Sequence, residues 1–412
     1  MPNLLFVSIA FPPKNDPECL QTARYFKYLT KQTNWNIDVV TSQQPTLFMP
    51  TDASLEKYNK GYRQKIELKI IESKFTNYAL RKIGMDKFLF PDSKMTFHWQ
   101  WKKVINELDH APSIIYSRSN PMSSAFMAMR LKQHFNCPWV MHLSDPWAIS
   151  PLIKTHTKQI ERSLIVEEEL LKKADAVTFT SLQTMNLYAA HYHQYSTKFS
   201  VLPNVYDAED IEVSDPILID KLRIVYTGGL TGERNVFFLS EVLKKIGEKR
   251  PDFQKDIEFI FAGDCDRANK AFFATTMPCI KHLGILSYSQ AKQLYKTAHI
   301  LLVVDNPTKA NEAIFFPSKL LDYFVAQKKI WAVSPELSTT RNVLQDYNHV
   351  AFKHEDIEPM AKFLLQCLEK FKEKNGSFFQ ASQTPTAYDA SINSAKLQGL
   401  LKNLAGYFFS KI

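Results

Sequence analysis

Four short segments of the 412-residue sequence set charged or hydroxylated side chains beside turn residues, where they could handle an anion or a proton. In YTGGLTGERN a strand-like run reaches Tyr226, Gly228 and Gly229 permit a tight turn, and Arg234 stands just before a helical pattern over 235–246. Backbone N–H groups at such a helix start favour a phosphate, and a guanidinium adds fixed bidentate donors. The same residues also suit an ordinary strand-to-helix turn with a solvated arginine. In FFPSKLLDYF, Pro317 and Ser318 open a helix, with Lys319 and Asp322 on its first turns. A hydroxyl and an ammonium there suit a diphosphate, and Asp322 could accept from ribose hydroxyls. The plain alternative is an N-cap followed by an exposed (i, i+3) pair.

The third segment, VMHLSDPWAISP, ends a strand in His142 and Asp145, an imidazole and an acid that could serve acceptor binding or proton transfer. Asp145 could equally initiate a turn before Pro146. The fourth, YSRSNP, brings Arg118 to another strand end, where it serves either an acceptor or only the surface. One DxD occurs, at Asp264 and Asp266, and reads as a strand-end turn leading into a helix. There is no HxxxH and no Cys/His cluster, so neither a metal nor a cofactor is expected. Arg234 and Lys319 would instead stabilise a departing anion electrostatically, without a protein nucleophile.

Regular elements must position these groups. Short apolar runs (NLLFVSIA, NIDVVTS, PSIIYSRS, CPWVMHLSD, DAVTFTS, KFSVLPNV) alternate with helical patterns at 21–32, 122–135 and 160–173. That is the signature of a parallel sheet wrapped by helices. A long irregular basic segment separates the second run from the third. The alternation restarts at KLRIVYTGGL and continues through IEFIFAGD, KHLGIL, HILLVVD, KIWAVS and HVAFK, after an acidic, apolar-poor stretch at 204–216. The expectation is an α/β chain of two doubly wound, Rossmann-like domains facing a central cleft, 1–205 and 206–390. A terminal helix, 391–412, would carry Leu397, Leu400, Leu401, Leu404 and Phe408 at helical spacing. Ligands of such sheets bind beyond the carboxyl ends of the strands, which points at the loops after Ala10, Ser117, Leu143, Gly228, Gly263 and Asp305.

Composition narrows the setting. Residues 1–200 carry 25 Lys and Arg against 17 Asp and Glu, so they hold nearly all of the net charge of +9. The densest basic stretch, 57–103, is interleaved with aromatics, which suits an anionic membrane surface or a lipid-phosphate acceptor as well as a solvated face. No recognised nucleic-acid module is present, so nucleic acid is not an expected partner. Five dispersed cysteines argue for free thiols in a reducing compartment. The start MPNLLFVSIAFPP lacks the features of a signal peptide, and no run is long enough to span a membrane. A cytoplasmic location, peripheral on the inner membrane face, is expected.

Taken in order, FPPKND, RYFKYL, YSRSNPMSSAF, PWVMHLSDPW, EEELLKKADAVTFTS, VLPNVYD, YTGGLTGERN, FIFAGD, HLGILSYSQAKQLYKTAHILLV and FFPSKLLDYFVAQ resemble glycosyltransferase family 4, whose members have the GT-B fold. The resemblance covers most of the chain and is most specific over 203–326. It implies anomer-retaining, metal-independent transfer from a UDP-sugar, less often a GDP-sugar, to a glycan or lipid-linked acceptor. It places Arg234 and Lys319 at the donor diphosphate and Asp322 at the ribose. It puts Leu286 and Tyr288 against the base, and the loop 12–16, with Lys14, Asn15 and Asp16, beside a phosphate or the acceptor. The chain departs from the family pattern in places. KNDPECLQ has no glycine, Ile314 and Asp322 hold the paired glutamate positions with Glu312 two residues away, and His142 and Ser144 stand where Asp and Arg are frequent. Two other readings therefore stand beside the transferase: a non-catalytic GT-B binding or scaffold protein in glycan assembly, and a sugar-nucleotide 2-epimerase.

Overall fold

In the computed structural model the chain divides into two compact units, Met1–Val205 with Ala387–Ile412, and Tyr206–Thr386. The structure describes residues 2–409 apart from 44, 48, 74, 76–81, 83–88, 154–157, 211–218, 308–310 and 382. The stretches at 204–216 and 57–103 fall partly outside the described residues.

The first unit is built on β1 (Asn3–Val7), β2 (Asn36–Ser42), β3 (Gln64–Leu68), β4 (Ile114–Ser119), β5 (Trp139–Leu143), β6 (Ala176–Phe179) and β7 (Phe199–Val201). They form one parallel sheet in the order β3-β2-β1-β4-β5-β6-β7. Its central strands are continuous apolar runs because helices cover both faces. Leu5 and Val7 join one core cluster with Val40, Ile115, Met141 and Val177, while Leu4 and Phe6 point into the other with Val39, Tyr116 and Val140. The basic segment expected to be irregular contains β3, which pairs with β2 at the sheet edge. Lys65 and Glu67 alternate there with Ile66 and Leu68, so β3 lacks the apolar run that marks a central strand.

The last helix, Ala390–Phe409, packs on the helix Pro17–Gln32 of the same unit. Leu397, Leu401 and Ala405 stand one turn apart and enter the cluster of Tyr25, Phe26 and Leu29. Gln32 Nε2 donates to the Ser391 carbonyl at 3.0 Å, and Gln398 Nε2 donates to the Gln32 carbonyl at 2.8 Å. Leu400 and Leu404 are partly buried against the cluster, and the side chain of Phe408 lies outside the described residues.

The second unit repeats the plan with β8 (Leu222–Thr227), β9 (Ile257–Ala262), β10 (Ile280–His282), β11 (Ile300–Val304), β13 (Lys329–Val333) and β15 (Val350–Phe352) in the order β10-β9-β8-β11-β13-β15. All pairings are parallel. A separate parallel pair joins β12 (Glu312–Ala313) to β14 (Leu337–Ser338). Counted from the first strand, the second sheet runs 3-2-1-4-5-6, and the first runs in the same order with a seventh strand added. The order therefore reverses between β1 and β4 in one unit and between β8 and β11 in the other, and a crevice opens there at the carboxyl ends.

Candidate functional site

At the reversal point of the second unit, β8 ends in Thr227 and the chain turns through Gly228 at φ +114°. A Cβ at Gly228 would lie 2.5 Å from Lys319 Nζ, and one at Gly263 (φ +142°) would lie 2.2 Å from the Gly228 carbonyl oxygen. Only glycine lets these three segments meet. The turn is tied down by Gly228 N–H to the Ala262 carbonyl (2.7 Å), Leu230 N–H to the Asp264 carbonyl (3.0 Å) and Tyr226 O–H to the Gly229 carbonyl (2.9 Å). Thr227 is held from the other side, its N–H donating to Tyr323 Oη at 3.0 Å and its hydroxyl 2.7 Å from Tyr295 Oη.

Two cations converge on this turn. Lys319 Nζ lies 3.9 Å from the centroid of the Tyr226 ring, a cation–π distance. That ammonium is buried without a hydrogen-bond partner among the described residues, as is Arg234 Nε. Burial, and next the charge of Arg234, hold the Lys319 pKa well below its ordinary value, with Asp305 opposing them. Asp305, buried just past β11, forms no ion pair with either cation. Its two oxygens accept from Ser334 Oγ (2.5 Å) and Thr340 Oγ1 (2.9 Å), and burial raises its pKa. Positive charge therefore exceeds what the protein itself neutralises, and a buried cation without a partner is costly. An anion with several oxygens would satisfy both nitrogens by charge-assisted hydrogen bonds.

Local structure here differs from expectation in two respects. The helix after the turn is Phe238–Lys249, so Arg234 is carried by a loop, its N–H bonded to the Thr231 carbonyl at 3.2 Å. Ser318 precedes the seven-residue helix Lys319–Val325 in αR geometry, and its hydroxyl makes no cap bond. The cation pair, not a helix start, makes the site. Asp322 is buried on this helix. Leu286 and Tyr288 are half-buried around Ser287, which forms a capping box with Gln290 at the start of the helix Tyr288–Lys296. Glu312 is drawn into β12, paired with Leu337. Asp266 caps the helix Arg267–Thr275 and also accepts from Gly232 N–H at 3.0 Å, while Asp264 is exposed. Among the described residues no group of three or more His, Cys, Asp or Glu could hold a metal ion.

In the first unit several charged residues turn inward. Lys14 is fully buried, its ammonium donating to the Ile9 carbonyl (3.0 Å), Thr41 Oγ1 (3.3 Å) and the Ser42 carbonyl (2.9 Å), and burial lowers its pKa to about 8. It staples the loop after β1 to the end of β2 and offers nothing outward. Asn15 donates to Asp52 Oδ2 at 3.2 Å. Asp16 caps the helix Pro17–Gln32 by accepting from Glu18 N–H, and burial raises its pKa to about 6.

Arg118, expected at a strand end facing a ligand or solvent, is fully buried on β4 and donates through Nε to Glu18 Oε1 at 2.8 Å. Ser144 Oγ donates to the other Glu18 oxygen at 2.6 Å. His142 has no exposed surface; its Nδ1 lies 2.9 Å from Thr178 Oγ1, and burial, then Arg118, push its pKa well below the ordinary value. Asp145, in contrast, is exposed, so the two do not form an acid–imidazole pair. Sequence reasoning placed Tyr226 and Asp305 at strand ends without giving either side chain a role, and it did not single out Glu18. The only available signal was that each stands at a strand end or on the first turn of a helix.

No family model matches the sequence, and no curated protein is similar to it. Solved structures do match along its length. Sucrose-phosphate synthase from Thermosynechococcus elongatus gives a TM-score of 0.68 at 14% identity, over 99% of this chain and 100% of that one. Anabaena HepE in complex with UDP and glucose gives 0.66 at 13%, over 98% and 100%. A glycosyltransferase from Rickettsia africae gives 0.64 at 13%, over 98% of each. At these identities the likeness is one of fold, and the fold is GT-B.

Proposed function

We propose that this chain is a glycosyltransferase that moves a sugar from a nucleotide-diphosphate donor to a glycan or lipid-linked acceptor, with a UDP-sugar as donor. The observation that carries this reading is the buried ammonium of Lys319 beside half-buried Arg234, whose Nε is also buried, neither nitrogen having a hydrogen-bond partner among the described residues, at the reversal point of the second sheet. A diphosphate supplies the oxygens that these nitrogens lack. When the sugar–oxygen bond breaks, the electron pair stays on the diphosphate, and fixed cations in a water-poor site stabilise that charge without reorganising. Gly228 and Gly229 allow close backbone approach, Ser318 lies beside Lys319, Asp322 serves the ribose, and Leu286 and Tyr288 lie against the base. The UDP bound in HepE supports uracil as that base. Transfer is retaining and metal-independent on this reading.

On the acceptor side the reading rests on half-buried Asn15 and Asp16 and on exposed Asp145. Lys14, Arg118 and His142 act behind them as internal supports. Ile71, Phe75 and Trp99 are exposed among Lys69, Lys82, Lys102 and Lys103, which suits peripheral contact with an anionic membrane from the cytoplasmic side. No helix among the described residues is long and apolar enough to cross a membrane.

Thermal shifts with UDP, GDP, UDP-GlcNAc, UDP-Glc and GDP-Man test the donor site, because a ligand that binds only the folded chain raises its melting temperature. UDP and UDP-sugars should raise it, and Arg234→Ala with Lys319→Ala should abolish the shift. No shift with any of the five would refute the reading. Binding without transfer to any acceptor would favour the scaffold alternative, which Glu312, held in its β-pair, makes specific.

A further inference from the structure

At the opposite, amino-terminal edge of the second unit's sheet lies a cavity of about 630 Å³. Its lining includes Asp220 just before β8, His299 just before β11, Lys328 just before β13, and Phe371, Lys374 and Phe379 around the end of the helix Ile357–Lys372. His299 and Asp305 flank β11 at its two ends, about 20 Å apart along an extended strand, so this cavity is separate from the cation pair at Lys319.

The walls are aromatic. The His299 ring meets Phe371 edge-on at 4.9 Å and Phe379 at 5.5 Å. His299 Nδ1 accepts from Arg223 N–H at 3.0 Å, which keeps the ring proton on Nε2 and makes that atom a donor. Burial, then Lys328 and Arg223, lower its pKa to about 4, so the ring is neutral. The rim is cationic on balance, with Lys328, Lys372 and Lys374 against one acid, Asp220. Lys328 and Lys374 form no ion pair among the described residues, whereas Lys372 is engaged by Asp256 at 3.3 Å. Burial holds Lys328 below its ordinary pKa.

The rim is also built before any ligand arrives. Asn375 N–H donates to the Lys370 carbonyl and Lys374 N–H to the Phe371 carbonyl, both at 3.0 Å. Ala381 N–H donates to the Gln327 carbonyl at 3.0 Å, next to the bridge between Lys328 and Gln380. Concave, mostly apolar sites of a few hundred Å³ with a few fixed polar groups are the usual form of a small-molecule site.

We propose that this cavity is a second binding site, for a small aromatic anion whose ring packs against Phe371, Phe379 and His299 and whose carboxylate or sulfonate meets Lys328 and Lys374. It is independent of the donor reading.

The test uses the full chain and the aromatic sulfonate 8-anilinonaphthalene-1-sulfonate, followed by fluorescence and calorimetry. One equivalent should bind, and saturating UDP should not displace it. Lys328→Ala with Lys374→Ala should weaken binding about tenfold. The uncharged N-phenyl-1-naphthylamine should bind more weakly than the sulfonate. Thermal melts establish that each variant is folded, and Lys374→Glu, at an exposed position, replaces any that is not. The proposal is overturned by no binding, by several equivalents per chain, by displacement with UDP, by equal affinity for the uncharged probe, or by folded variants that bind as wild type does.

Discussion

Replacing Lys319 by methionine separates a ligand-binding cation from a structural one. Methionine keeps an unbranched apolar chain against Tyr226 and removes only the charge. In the free chain the ammonium is buried, lacks a hydrogen-bond partner among the described residues and feels the charge of Arg234. Losing its contact with the Tyr226 ring, at 3.9 Å, costs about 1–2 kcal/mol. Replacing a buried charge by an apolar group is neutral or returns roughly 1–4 kcal/mol. The unliganded variant should therefore fall between a loss of about 2 and a gain of about 3 kcal/mol relative to wild type. Nucleotide binding should only weaken. Each charge-assisted hydrogen bond to a phosphate contributes about 1.5–3 kcal/mol. Two of them at the lower figure amount to about 3 kcal/mol, or roughly 150-fold in Kd. Calorimetry with UDP, alongside melts without ligand, measures both quantities. A variant that binds UDP within about threefold of wild type while losing more than about 2 kcal/mol of stability would show that Lys319 is a strut and that the phosphate assignment is wrong.

Three further outcomes follow from the same geometry. Because Lys319 is held below its ordinary pKa, the unfolded chain binds more protons between the folded and unfolded values, so stability should rise with pH across that window. Urea midpoints against pH should lose this rise in Lys319→Met, and parallel curves would refute it. Gly263→Ala should destabilise more than Gly228→Ala. Each imposes about 1–3 kcal/mol of strain at positive φ, but the first drives a Cβ into backbone at 2.2 Å and the second into the far end of a lysine side chain at 2.5 Å. Denaturant titration giving the reverse order would count against the packing described. Glu18→Ala strands Arg118 in the interior and should cost about 3–5 kcal/mol, with much of it restored by adding Arg118→Met. A measured loss under about 1 kcal/mol would mean that the pair is solvated.

The central strands were legible because burial on both faces makes them uninterrupted apolar runs, as in NLLFV and ILLVV. Edge strand β3 was not, since its one polar face breaks the run with Lys65 and Glu67. Within the candidate site, Gly228, Arg234 and Lys319 stood out as turn and charge signals, and the structure brings Gly228 and Lys319 into contact. What sequence could not convey was direction. Lys14, Arg118 and His142 have side chains that normally face water, and whether one is buried depends on partners far along the chain. For Arg118 that partner is Glu18, 100 residues away. The role of Asp305 was hidden for a related reason: its partners, Ser334 and Thr340, are small hydroxyl residues with no distinguishing pattern.

The two sheets share one strand order, so each has an equivalent reversal point, and comparing them shows why only one is a good anion site. In the first unit, Arg118 at the end of β4 meets Glu18 on the first turn of the helix that follows β1, and Ser144 takes up the other carboxylate oxygen. The cation there is neutralised by the chain itself. In the second unit the positions are exchanged. The acid, Asp305, follows β11, and the cations come from the loop after β8 and from the helix Lys319–Val325. Hydroxyls from Ser334 and Thr340 occupy the Asp305 oxygens, which keeps that carboxylate from closing on Lys319 or Arg234. Removing those hydroxyls should therefore weaken nucleotide binding at a distance. In Ser334→Ala with Thr340→Val, Asp305 is free to pair with the cations and compete with the phosphate, so Kd for UDP should rise with no change in any residue assigned to the ligand. An unchanged Kd would mean that Asp305 is held away by packing alone.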